Sequence, residues 1–216
     1  MLNIRTFTVN PLEVNAYVVS DETGEAVLID PGCFAEAEWN DIAQYINSQH
    51  LTLKHCLLTH MHFDHIMGCH LLQRDFGLQP EGHGDDAPLY KAVGNQARQF
   101  FGINLNIHVQ PPLAKCYNEG DAVAFGSHTL AILHTPGHSP GCVCYYCPEE
   151  HCIFTGDTLF RGSMGRTDLQ GGNDSQMISS LLRLATLPEQ TTVYPGHGPA
   201  TNIANERTWI QAVYNR

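Results

Sequence analysis

Thr59-His60-Met61-His62-Phe63-Asp64-His65 packs four metal-ligand side chains into six residues, immediately after the apolar run Cys56-Leu57-Leu58. In an extended chain, side chains two apart point to the same side, so His60 and His62 would present their imidazoles together. Asp64 and His65 fall where Ile66-Met67-Gly68-Cys69-His70-Leu71-Leu72 begins to read as a helix, which turns the backbone and re-aims the second pair. One segment could therefore serve two metal ions. With 13 His in 216 residues, a chance cluster of surface histidines is the bland alternative. Ligand types at this spacing, matched by partners further along the chain, argue against it.

The 216 residues suffice for one sizeable core and predict a single domain, 1–216. Lys+Arg 11 against Asp+Glu 22 give a net charge of −11, which disfavours nucleic acid and anionic membranes as partners. Bound cations would offset part of that charge. Met1 to Asn10 alternates like a strand, without the charged and then apolar pattern of a leader, and no apolar run approaches the ~18 residues of a membrane span. A cytoplasmic protein is expected, and in that setting the eight Cys read mostly as buried free thiols.

Arg5 to Val9, Val14 to Val19 and Glu25 to Asp30 are short β-branched runs separated by turn signals, which predicts neighbouring antiparallel strands. Ala35 to Gln49 carries Trp39, Ile42, Ala43, Tyr45 and Ile46 at helical spacing, and Leu53 to Thr59 returns as a buried strand. The histidine cluster lies at that strand's C-terminal end, where α/β sheets commonly place ligands. Between about 78 and 118 the pattern weakens, because Gly82, Gly84, Gly94, Gly102 and Pro111-Pro112 interrupt a helix-like stretch with Tyr90, Val93, Phe100 and Phe101. It reads as a plain connection or as a substrate lid. His83, His108 and His128 lack partner spacing and are expected to point into solvent.

In the second half, Ala122 to Phe125, His128 to Leu133, Cys142 to Cys147, Cys152 to Thr155 and Thr192 to Tyr194 read as strands, with helices over Asp174 to Leu187 and Asn202 to about Tyr214. Three breaks carry ligands. His134-Thr135-Pro136-Gly137-His138-Ser139-Pro140-Gly141 has the Pro and Gly to hold one imidazole inward, Gly156-Asp157-Thr158 presents a carboxylate at a strand end, and Pro195-Gly196-His197-Gly198-Pro199 closes the series.

Together these motifs closely resemble the metallo-β-lactamase superfamily and, more narrowly, its short bacterial glyoxalase II-like (hydroxyacylglutathione hydrolase) proteins, over nearly the whole chain up to Pro199. The resemblance implies an α/β fold, a four-layer αβ/βα sandwich whose two similar halves pack sheet against sheet with the metals at one edge. It implies one metal held by His60, His62 and His138, another held by Asp64, His65 and His197, and Asp157 bridging both. Mixed nitrogen and oxygen ligation suits Zn²⁺, and also Fe or Mn when a site is oxygen-rich. β-Lactamase-type members commonly place a Cys in the second site and lack the bridging carboxylate, and no Cys here matches that position.

The implied reaction is attack of a metal-bridged hydroxide, its pKa lowered towards about 7, on a thioester such as S-D-lactoylglutathione, with Asp64 orienting the nucleophile. A leaving thiolate of pKa about 8.5 hardly requires a general acid. Ser139 and Ser163 lack the Gly-x-Ser-x-Gly elbow of a serine hydrolase. Three rivals stand beside this reading: a persulfide dioxygenase with one Fe on His60, His138 and Asp157, a lactone or ester hydrolase, and a non-enzymatic scaffold. The dioxygenases typically carry Pro-Ala-His-Asp where this chain has Pro-Gly-His-Gly-Pro, and a scaffold has no need of seven candidate ligands.

Glyoxalase II proper adds a helical C-terminal domain with basic residues for glutathione, whereas 19 residues follow His197 here. The short relatives share a Gly-Arg-Thr/Ser-Asp stretch, here Gly165-Arg166-Thr167-Asp168. Arg161 and Arg166 are candidates for attracting an anionic substrate, with an Arg166–Asp168 loop brace as the plainer alternative. The expected partner is a small-molecule thioester, and the expected assembly a monomer or small homo-oligomer. Cys142, Cys144, Cys147 and Cys152 bracket a predicted hairpin turn, so Cys147 and Cys152 could face each other as packed thiols or as a redox or metal pair.

Overall fold

The computed structural model describes residues 1–102 and 109–214. β1 (Asn3–Val9), β2 (Val14–Ser20) and β3 (Glu25–Ile29) pair antiparallel in the predicted order, with Val9 opposite Val14 and Tyr17 opposite Ile29. α1 (Glu36–Ser48) then carries the chain over to β4 (Thr52–Leu57), parallel to β3. Glu38 fixes the start of α1, its carboxylate accepting from the Phe34 and Ala35 amides at 2.8 and 3.0 Å. α2 (Phe63–Ile66) and α3 (Cys69–Phe76) follow as two pieces of the single helix the sequence suggested, and Gly77 ends the second at φ 66°.

The stretch between 78 and 118 contributes to the sheet as well as to the surface. It holds β5 (Glu81–His83), α4 (Ala87–Lys91), α5 (Val93–Phe101) and β6 (Lys115–Tyr117), giving a first sheet in the order β1-β2-β3-β4-β5-β6. Strands of three residues are too short to display alternation, so the periodicity could not announce them.

The second half comprises β7 (Ala122–Phe125), β8 (His128–His134), β9 (Val143–Cys147), β10 (Cys152–Gly156), α6 (Asp174–Leu184), β11 (Thr192–Pro195), β12 (Thr201–Asn202) and α7 (Ile203–Tyr214). Its sheet runs β12-β11-β10-β9-β8-β7, with β10 and β11 parallel. Cys147 and Cys152 are direct cross-strand partners in β9 and β10.

Tyr17, Val27, Ile29 and Leu57 of the first sheet meet Phe125, Ile132, Tyr145 and Phe154 of the second in a core between the sheets. Behind the first sheet, Val18 and Leu28 pack on Trp39, Ile42 and Ile46 of α1 and on Leu72 of α3. Behind the second, Ile153 and Val193 pack on Met177 and Leu181 of α6 and Ile210 of α7. The result is a helix, sheet, sheet, helix sandwich. β2 is buried at every position because it is covered on both faces, which explains its nearly unbroken apolar run.

Two expectations about histidines are corrected. His83 is buried and stacks on His134 with ring centroids 4.2 Å apart. The His128 side chain is also sheltered, bridging Asp21 at 3.0 Å and Glu150 at 2.9 Å. Both owe their burial to partners distant in sequence, while His108 lies outside the described residues. No helix among the described residues is long and apolar enough to cross a membrane.

Polar bonds tie the halves along one edge. Tyr145 Oη donates to the Leu58 carbonyl at 2.8 Å, the Val143 amide to Thr59 at 2.8 Å, and Tyr17 Oη to Pro195 at 2.6 Å. Tyr145 is fully buried, so a Phe in its place leaves the Leu58 carbonyl without this donor. Tyr145→Phe is expected to lower stability by about 1–3 kcal/mol in urea unfolding with an unchanged far-UV spectrum.

Candidate metal centre

Four chain segments meet at this edge. The residues after β4 supply His60 and His62, and α2 supplies Asp64 and His65. His138 comes from the β8–β9 loop, while Asp157 and His197 follow β10 and β11. All are buried except His197, which is partly exposed. Ligand atoms of His60, His62 and His138 lie within 4.8 Å of one another, as do those of Asp64, His65 and His197. Asp157 stands between the two groups: Oδ1 is 3.4 Å from His65 Nε2, and Oδ2 is 3.5 Å from both His138 Nε2 and His197 Nε2. Asp64 Oδ2 is 3.5 Å from His197 Nε2.

The opposite face of several rings is anchored. Nδ1 of His65 faces Asp30 Oδ2 at 3.0 Å, that of His138 the Arg166 carbonyl at 2.7 Å, and that of His197 the Leu12 carbonyl at 2.9 Å. With a cation at Nε2, such contacts would keep the proton on Nδ1 and orient each ring. His62 is turned the other way, with Nδ1 2.8 Å from His138 Nε2. Asp30 also accepts from the Thr59 amide and hydroxyl at 2.8 and 2.6 Å, so it sets the strand exit that carries His60.

The donor set fits divalent cations. His60 Nε2, His65 Nε2 and Asp157 Oδ1 are buried without hydrogen-bond partners, an arrangement that costs about 1–3 kcal/mol per group unless a ligand engages them. Burial, reinforced for His62 by His138, keeps His60 well below the ordinary histidine pKa and brings His62 down to about 3. Both rings are thus neutral at pH 7, the form in which an imidazole can coordinate a cation. Burial opposes ionisation of Asp157, but His65, with His138 and His60, outweighs it and holds the carboxylate well below its usual range. Tight approach is built into the backbone: a Cβ on Gly196 would collide with Asp157 Oδ1, and one on Gly156, at φ 48°, with Thr59 Oγ1.

Asp86, which the sequence did not single out, joins the two ligand loops. Its Oδ2 accepts from the Met61 amide at 3.0 Å and Ser139 Oγ at 2.6 Å, and its Oδ1 from the Gly141 amide at 2.7 Å. Met61 lies between His60 and His62, and Ser139 follows His138. Burial pushes the Asp86 pKa up against these donors.

A cleft of about 260 Å³ opens over the cluster, lined by Leu12, Phe63, Phe100, Phe160 and Leu169 beside the ligand side chains. Arg166 reaches its rim, but the guanidinium is held by Asp168 at 2.6 and 2.7 Å. Arg161 lies outside it, donating to the Ala200 carbonyl beside a separate surface cleft. The excursion contributes Phe100 to the cleft wall.

The family model described as metallo-beta-lactamase superfamily matches residues 9–197. The chain belongs to this superfamily. A hydroxyacylglutathione hydrolase of Haemophilus influenzae, GloC, is 33% identical over 208 residues, covering 95% of each chain. Among solved structures, the B3 metallo-beta-lactamase BLEG-1 is 34% identical with a TM-score of 0.86, covering 95% of this chain and 97% of its own. TTHA1623, solved in a di-iron-bound form, is 38% identical with a TM-score of 0.82, covering 97% and 98%. The fold is therefore the metallo-β-lactamase sandwich, and the superfamily is one of divalent-metal hydrolases.

Asp86→Asn keeps the side-chain volume but replaces an acceptor with an amide donor facing donors. It is expected to weaken metal binding about 10–100-fold, measured by competition with a chromogenic chelator, while far-UV ellipticity is retained.

Proposed function

We propose that this protein is a metal-dependent thioesterase of the glyoxalase II type, in which His60, His62 and His138 would hold one divalent ion, Asp64, His65 and His197 a second, with Asp157 available to both. When bound, the ions supply Lewis acidity and a water acidified towards about pKa 7. Zn²⁺ suits the five histidines, and the di-iron form of TTHA1623 keeps Fe as an alternative.

The observation that carries the reading is the missing acid. Apart from the candidate ligands, Arg166 is the one titratable side chain lining the cleft among the described residues, and a guanidinium does not give up its proton near neutral pH. An amide nitrogen leaves poorly without a proton, whereas a thiolate of pKa about 8.5 leaves unaided. Water adds to the thioester carbonyl, the C–S bond breaks with its electron pair on sulfur, and a carboxylic acid and a thiol result.

The chain's own groups prepare this step. Burial works to raise Asp64, but His65 and His197 outweigh it, so its carboxylate stays ionised and available to orient the attacking water. Phe63 and Phe160 help exclude bulk water from the cluster. The Haemophilus relative's activity supports a hydroxyacylglutathione as the first substrate to try.

The test is hydrolysis of S-D-lactoylglutathione by metal-loaded protein, followed beside oxygen uptake with glutathione persulfide. Chelator-sensitive thioester loss without oxygen uptake is expected, and oxygen uptake instead would transfer the site to an iron dioxygenase. His138→Ala should remove about one metal equivalent and lower kcat/KM by at least about a thousandfold. Near-full activity in that variant would refute its ligand role.

A further inference from the structure

The apolar walls of the cleft bear on which thioester enters. Leu12, Phe63, Phe100, Phe160 and Leu169 line the cleft together with the candidate ligands and Arg166. Phe160 meets the His197 ring edge-on at 6.0 Å between centroids, and Phe63 lies 5.1 Å from Phe100. The two lining carboxylates outside this apolar wall, Asp64 and Asp157, belong to the proposed metal set. Among the described residues, the lining cation is Arg166, and Asp168 already holds it through two bonds.

Size constrains the occupant further. About 260 Å³ is below the ~300 Å³ at which small-molecule pockets usually begin. A carrier of tripeptide or nucleotide size exceeds that volume, so the arm that can enter is the acyl group. An anionic acyl arm would shed its hydration without gaining an unpaired side-chain cation from the apolar wall or from Arg166, which Asp168 already holds. An apolar one would cover five aromatic or aliphatic side chains.

Resting on the thioesterase reading above, we infer that this cleft selects its substrate by a compact, uncharged, apolar acyl arm, with Phe160 and Leu169 as specificity-determining residues. The thiol carrier is recognised loosely at the rim.

The experiment is a kcat/KM series on N-acetylcysteamine thioesters bearing acetyl, propionyl, butyryl and succinyl groups, using metal-loaded protein. Each added methylene is expected to raise kcat/KM about threefold to fourfold, and succinyl to fall at least about tenfold below butyryl. Phe160→Ala should bring the butyryl-to-acetyl ratio towards one. Leu169→Ala should narrow the same ratio and serves if the first variant folds poorly. In metal-free protein, the butyryl ketone analogue with CH₂ in place of sulfur should shift NMR signals of Phe160 and Leu169, and the succinyl analogue should not.

A flat series, or preference for succinyl, would overturn the inference and leave the thioesterase reading standing. Loss of the ratio's dependence on Phe160 and Leu169 together would overturn their assignment in the same way. Failure of the loaded protein to hydrolyse any of the four, or S-D-lactoylglutathione, would overturn the thioesterase reading and the inference with it.

Discussion

The carboxylate of Asp86 is the constraint on which the edge of the sandwich depends. Two loops that carry imidazoles arise from different sheets, and nothing in their covalent connection sets the gap between them. Three donors from those loops converge on one buried side chain, two from the β8–β9 loop and one from between His60 and His62. Ser139 Oγ is one of these donors. A buried carboxylate is costly when unpaired, so the same desolvation that would penalise Asp86 alone makes the closed arrangement of the loops strongly preferred.

Asp30 performs the corresponding task within the first half. It receives Thr59 through backbone and side chain and holds His65 from behind, at a left-handed φ of 49°. Few residues other than glycine, asparagine and aspartate adopt that conformation, and the three contacts help hold Asp30 in it. The candidate ligand rings are thus aimed from behind by carboxylates and carbonyls, of which Asp30 and Asp86 do not line the cleft. Crowding at Gly156 and Gly196 belongs to the same economy of space, since the second-half loops approach Thr59 and Asp157 too closely for a side chain.

Much of this was legible in the sequence because the candidate ligands cluster in short motifs. His60, His62, Asp64 and His65 occupy six residues, and His138, Asp157 and His197 each sit in a Gly- or Pro-marked break after a strand. The antiparallel start, α1 and the facing of Cys147 with Cys152 also followed from local patterns. Asp30 and Asp86 did not, because a lone acidic residue in a turn carries no periodicity, and its meaning depends on a loop that arrives 29 or 55 residues later. The same holds for His83 and His128, whose shelter comes from His134 and from Asp21 and Glu150. Three-residue strands such as β5 and β6 earn their place through pairing with a sheet already built.

The position of the cluster across the junction of the halves has a further consequence. Cations held by donors from both sides would act as rivets, so the protein's cohesion would become a function of a solute's concentration. Binding that favours the assembled state adds RT ln(1 + [L]/Kd), about 4 kcal/mol at a thousandfold excess over Kd. Such a molecule would sense its ionic surroundings through its own lifetime as well as through its chemistry: in a metal-poor environment it would be inactive and also the form most readily opened and cleared.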